Sequence, residues 1–206
     1  MKNMRFEIRN GGVLTRYFGN DKNVIIPSGV KVIEDNVFSD CKNLTSVKIP
    51  NSVISIGNNA FANCKNISAL ELPINLKTIG DFAFYHCEKL TTMVIPDSVT
   101  FIGKEAFEDC KNLESVTLSK NIKKITKKMF EDCESLTSIV IPEGVTKICT
   151  NAFADCEKLT TIEIPITVKN IEIDVFDDCD DLIILAPANS KAEEYAKENE
   201  IKFELK

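Results

Sequence analysis

Tryptophan is absent from the chain, and histidine occurs once, at His86. A single imidazole leaves little for His-based acid–base chemistry and excludes a His-rich metal centre. Neither a G-x-S-x-G elbow nor a Gly-rich phosphate loop occurs, so the sequence carries no hydrolase or nucleotide-binding signature. No apolar run approaches the roughly 20 residues that a membrane helix needs. The opening residues Met1 to Arg9 contain no apolar core of the secretory-leader kind. Positive charge is not in excess: 25 basic against 31 acidic side chains leave a net charge of −6. A phosphate backbone would be repelled on average, so nucleic acid is a poor partner. What is present, 44% hydrophobic and 27% charged residues over 206 positions, is ordinary globular composition.

The chain repeats itself every 23 residues. Phenylalanine stands at 38, 61, 84, 107, 130, 153 and 176, without slippage. Cysteine follows in register at 41, 64, 87, 110, 133, 156 and 179, and an apolar column three residues later runs from Leu44 to Leu182. Proline holds its own column from Pro27 to Pro165, with Ser119 in the one missing place. Further apolar columns run from Val30 to Val168 and from Ile33 to Ile171. Agreement of this kind over seven copies identifies a repeat architecture.

One copy shows how the unit works. Leu44, Val47 and Ile49 have the L-x-x-L-x-L spacing of a leucine-rich-repeat strand. Val47 and Ile49 alternate with Ser46 and Lys48, which gives one apolar and one polar face. Pro50 removes a donor and ends the strand. Val53 and Ile56 turn the chain inward, and Gly57 suits a turn that a side chain would crowd. Ala60, Phe61, Cys64 and Ile67 read as a short helical or 3₁₀ return. A piece this small cannot repay about 1.5 kcal/mol of ordering entropy per residue by itself. Stacked, each apolar column is covered by the copies on either side, and the strands join into a parallel sheet.

The expected architecture is therefore one α/β solenoid domain over residues 1–206. Residues 1–26 form an N-terminal β-hairpin cap, 27–187 hold seven repeats, and 188–206 form a C-terminal helix–strand cap. The turn Asn10-Gly11-Gly12 predicts the hairpin. Ser190 and Glu193 form a capping box that predicts a helix to about Glu198, followed by a strand from Ile201 to Leu205.

The unit I-P-x-x-V-x-x-I-G-x-x-A-F-x-x-C-x-x-L-x-x-V-x-I-P resembles the BspA-type leucine-rich repeat of bacterial surface proteins, best over Ile49 to Pro73 and Ile95 to Leu118. The flanks Gly12 to Thr15 with Tyr17 and Gly19, and Ala186 to Ser190 with Glu194 to Ala196, look like that family's flanking segments. The resemblance implies a right-handed solenoid and a non-enzymatic role in adhesion or protein binding, often at a cell surface. It brings no catalytic residues and no cofactor. The lack of an apolar leader favours instead, as an alternative, a cytoplasmic location and an intracellular scaffold with no surface role.

Candidate sites follow from the columns. Eight cysteines could suggest disulfides or metal, but no C-x-x-C pair occurs, and in-register column members would sit about 4.8 Å apart. Buried free thiols are expected, with Cys149, outside the column, the most exposed to oxidation. The residues before the column cysteines, Asp40, Asn63, His86, Asp109, Asp132, Asp155 and Asp178, could form a carboxylate ladder for Ca²⁺; side-chain hydrogen bonds to the turn backbone explain them better. The outward strand positions Ser46, Lys48, Glu71, Thr92, Val94, Thr117, Val140 and Glu163 are the expected partner-binding face, for a protein or a glycan.

Overall fold

The computed structural model describes residues 5–206, so the first four residues of the expected 1–26 cap lie outside it. Each 23-residue copy closes one coil with three hydrogen-bonded sides. The first side carries the predicted strands, three residues each, such as Ser46–Lys48, Ala69–Glu71, Thr92–Val94, Ser115–Thr117, Ser138–Val140 and Thr161–Glu163. They pair in parallel one copy apart, Ser46 with Ala69 and Ser115 with Ser138. The pairing lapses once, between Ala69–Glu71 and Thr92–Val94, which divides this side into a ladder of three strands and one of six.

The second side is a ladder of two-residue strands, from Val32–Ile33 and Ser55–Ile56 to Lys147–Ile148 and Asn170–Ile171. Sequence reading took Val53 and Ile56 only as an inward bend. Two residues cannot display alternation, so this side left no periodic signal. Its pairing lapses between Phe101–Ile102 and Lys124–Ile125.

The third side is the return segment. Single turns close through i→i+3 bonds, as where Ala62 N donates to Asn59 O at 3.1 Å and Cys64 N to Phe61 O at 3.2 Å. These are isolated turns that do not propagate into a helix, because two residues per copy have left-handed backbone, Asn59 at φ 53° and Asn63 at φ 59° in this one; with Asn63 at its third position, the second turn has the positive φ of type II. That kink frees alternate amides for the next coil: Phe61 N donates to Ala83 O and Asn63 N to Tyr85 O, both at 2.8 Å. The Asp/Asn/His column is thereby explained, and differently from expectation. All seven members have φ between 53° and 60°. Asp, Asn and His are the non-glycine residues that tolerate that conformation best. None of the seven side chains bonds its own turn backbone among the described residues.

The glycines of the second side have an equally specific cause. A Cβ on Gly103 would lie 2.4 Å from both Asp81 N and Asp81 Oδ1, and one on Gly57 2.4 Å from Asp35 Oδ1. The side chains of Asp35, Asn58 and Asp81 each accept a hydrogen bond from the backbone one copy on, at Asn58 N, Asp81 N and Lys104 N. Where the column turns to Lys104, Lys127 and Thr150, this ladder stops, and the crowded place is occupied by Thr126, Cys149 and Glu172.

The core is the predicted set of columns. The seven phenylalanines stack with centroids 5.0 Å apart and planes 4° apart at Phe38–Phe61, opening to 5.7 Å and 13° at Phe153–Phe176. Such near-parallel rings at this separation are offset stacks. Tyr17, from the hairpin Phe6–Arg9 and Val13–Tyr17, covers one end at 5.1 Å from Phe38. Tyr195 covers the other edge-on, 5.9 Å from Phe176. It belongs to the helix Lys191–Glu198, whose N-cap Ser190 accepts from Glu193 N. The closing strand Lys202–Leu205 pairs in parallel with Ile183–Ala186.

Candidate functional site

The eight expected contact residues fall on one side of the solenoid but do not form one site. Ser46, Lys48 and Glu71 belong to the three-strand ladder, and Thr92, Val94, Thr117, Val140 and Glu163 to the other. Ser46 is already engaged, its hydroxyl donating to Asn23 Oδ1 at 2.6 Å. Glu163 is half-buried and paired with Lys206. Val94 and Val140 are 66% and 58% exposed; Val94 lies on the edge strand beside the lapse, and Val140 has a paired strand on either side.

A groove of about 660 Å³ crosses the C-terminal half of this face. Thr117, Val140 and Glu163 line it together with Val116, Pro142 and Leu185. Its apolar lining also includes Leu118, Ile139, Ile141 and Ile164. Leu185 escaped sequence reading. By sequence it continues the inward column of Ile139 and Ile162 at a step of 23, but the structure pairs it with Glu163 at a step of 22, which moves it to an outward place. The apolar run Ile183-Ile184-Leu185 was its only visible signal.

Six of the eight cysteines donate a hydrogen bond to a backbone carbonyl. All eight thiols are free. Cys64 Sγ donates to Phe38 O at 3.0 Å, and Cys87, Cys110, Cys133, Cys156 and Cys179 repeat the contact at 3.1–3.4 Å. Each thiol thus reaches 26 residues back, stitching one coil to the previous one. Burial pushes the thiols of Cys64, Cys110 and Cys179 up to about 12, so they carry no thiolate at neutral pH. Cys41, at the first coil, has no phenylalanine 26 residues before it and is only half-buried. Cys149 is likewise half-buried; burial, with Glu172 nearby, raises its thiol too.

No group of three or more His, Cys, Asp or Glu side chains among the described residues is arranged to hold a metal ion. His86 Nε2 lies 3.0 Å from Glu88 Oε1 and 3.3 Å from Lys65 Nζ, a surface network with no nucleophile beside it. The third side does hold a cluster of carboxyls. Glu108 and Glu131 occupy one column in adjacent copies, and Glu105 and Lys128 face each other in another. Lys128 Nζ lies 2.7 Å from Glu131 Oε2. Burial, and then the neighbouring Glu105 and Glu131, push the Glu108 carboxyl up to about 8.

The family model for the BspA type leucine-rich-repeat region matches residues 16–77 and 55–183, in six copies. No curated protein matches the chain. Among solved structures, a leucine-rich-repeat protein of T. pallidum is 28% identical, with a TM-score of 0.62, over 77% of this chain and 90% of that one. A leucine-rich-repeat protein from Bacteroides ovatus shares the fold at 21% identity, with a TM-score of 0.50 over 88% of this chain and 68% of its own. The pneumococcal vaccine antigen PcpA does so at 13% identity, with a TM-score of 0.54 over 90% and 68%.

Proposed function

Because the chain belongs to the BspA-type leucine-rich-repeat family, we propose that it is a non-enzymatic interaction module that docks a protein partner in the groove on its first side. The fold supplies a continuous repeat surface, and among the described residues no convergent nucleophile, base and orienting group supports chemistry instead. The observation that carries the reading is the exposed Val140 at the centre of an apolar groove of about 660 Å³. An exposed apolar patch rimmed by polar side chains is the usual mark of a protein contact. Glu143 and Lys120 stand at the rim and would orient the partner more than hold it. Adhesion at a cell surface, the usual setting of the family, is part of the same proposal.

A photo-crosslinking amino acid at position 140 tests this. It is expected to trap a discrete protein that is lost in a Thr117→Arg background, within the groove, whereas the same probe at exposed Ile173, outside the groove, traps nothing comparable. Identical adducts from both positions, or adducts indifferent to Thr117→Arg, would remove the groove from the reading.

A further inference from the structure

The net negative charge is not spread evenly over the three sides. The outer face of the second side carries two columns of side chains. One alternates strictly: Lys31, Lys77, Lys123 and Lys169, with Ile54, Thr100 and Thr146 between them. The other contains Lys124 and Lys147, paired in register, next to Phe101. The two columns hold six lysines and no carboxylate, in a chain with six more acidic than basic residues. The acids are gathered on the third side, around Glu105, Glu108, Glu131, Asp132 and Asp155.

Among the described residues the strip is largely unneutralised. Lys147 meets Glu172 at 2.5 Å, and Lys169 Nζ donates to Ile166 O at 2.7 Å. Lys31, Lys77, Lys123 and Lys124 are exposed and have no ion-pair partner among those residues. Like charges side by side on a ladder are destabilising, which accounts for the alternation. It does not account for the neutral places, since carboxylates at 54, 100 and 146 would have stabilised the ladder further. A device serving stability alone would interleave opposite charges.

The strip narrows to a cleft where the ladder lapses. Copy five has Ser119 in place of the proline, and its hydroxyl donates to Val99 O at 2.6 Å. The other copies close a turn from the proline carbonyl, as Val145 N does to Pro142 O at 2.9 Å. Here Asn121 N turns to Ser119 Oγ instead. Pairing between Phe101–Ile102 and Lys124–Ile125 is absent, and a cleft of about 270 Å³ opens. Phe101, 45% exposed, stands in it with Thr100, Lys123, Lys124 and Lys147.

We infer that this strip binds an acidic glycan, with Phe101 and Lys123 at its centre. Lysines on alternate coils are about 10 Å apart, two strand spacings. A pyranose in an extended chain advances by close to one such spacing, so an acid group on every second sugar meets a lysine at every second coil. The intervening hydroxyls of Thr100 and Thr146 donate to Lys77 O and Lys123 O and keep their lone pairs to accept from sugar hydroxyls. Phe101 offers a ring for the apolar face of one sugar, and an aromatic floor with a few placed polar groups is the usual make-up of a small-ligand site. Duplex nucleic acid carries one charge per ~1.7 Å, far denser than these lysines. The chain's only arginines, Arg5, Arg9 and Arg16, are near its N-terminus, so the strip lacks the planar forks that suit phosphate.

The test is titration calorimetry of the full chain with a hyaluronan oligosaccharide, which bears one carboxylate on every second sugar. Dextran, polyglutamate and oligothymidylate are the comparison probes. Binding to hyaluronan that weakens at least about tenfold in Lys77→Glu/Lys123→Glu and about fivefold in Phe101→Ala, with Lys48→Glu unchanged, is expected. Circular dichroism matching the parent chain shows that these surface variants fold. Absence of hyaluronan binding overturns the inference, as does equal binding of polyglutamate or oligothymidylate, or indifference to the lysine reversals. The strip and the groove lie on different sides, so the two readings fail independently.

Discussion

A single residue in this fold answers to the copy beside it more than to its own neighbours in sequence. Gly103 illustrates it. That a side chain would crowd the place was legible from the Gly57, Gly80 and Gly103 column; that the crowding comes from Asp81, 22 residues earlier, was not. The distinction has a measurable consequence. Gly103→Ala is expected to cost about 1–3 kcal/mol in urea unfolding, because the 2.4 Å contact is with backbone that cannot retreat. Cys149→Ala, in the same column but preceded by Lys127, is expected to fall within about 0.5 kcal/mol of the parent. Equal costs at the two positions would show that the glycine answers to its own turn instead. The cysteine column was legible as buried thiols, yet its use as a hydrogen-bond donor was not. A sequence gives the residue's size and burial, whereas the partner carbonyl is fixed only once the coil closes.

At the scale of the element, the three sides differed sharply in how far they could be read. The first side alternates over several residues and was plain. The second is too short to alternate. The third was expected to be a helical or 3₁₀ return, and it is a run of isolated single turns, because left-handed residues hold each to one turn. Asn59 and Asn63 hint at this; Phe82 at φ 56° and Lys128 at φ 54° do not, so the signal fades in the copies where it is most needed. The same side stacks Glu108 on Glu131, which sets a pH dependence. The Glu108 carboxyl titrates near 8 in the folded chain, against an ordinary value near 4.5 when unfolded. The folded state therefore binds the proton more tightly, and the stability it contributes is full below about 4.5 and lost as pH rises through 8. Glu172 works the other way: Lys147 and Thr150 hold it down to about 2, so its contribution is present above the ordinary range and lost on acidification. Urea midpoints measured between pH 5 and 8 are expected to fall for the parent chain and to flatten in Glu108→Gln. An unchanged slope in that variant would place the titration elsewhere.

The whole molecule is held together by continuity, and continuity has ends. Stability in a stacked array is a sum of nearest-neighbour terms, so an uncovered terminal coil both frays and invites association. Both caps place a tyrosine ring over the terminal phenylalanine of the column, and at the N-terminal end Phe6 packs in turn on Tyr17 at 5.4 Å. Tyr17 achieves this from a hairpin and Tyr195 from a helix, which is why the caps were legible as secondary structure while their shared purpose was not. Tyr195 is buried against Phe176, along with Ala192 and Ala196 from the same helix. Tyr195→Ala removes the ring that covers the last phenylalanine, at a cost of about 3 kcal/mol for a buried aromatic. For a chain of this length that corresponds to a drop in Tm of roughly 6–12 °C. The exposed Phe176 edge should also make sedimentation concentration-dependent, since an uncapped stack presents to a second molecule the face that the next coil would have covered. A variant that melts lower yet sediments unchanged at every concentration would mean that the helix Lys191–Glu198 still shields the core through Ala192 and Ala196. The ring would then contribute packing alone, and the cap would be the helix backbone itself.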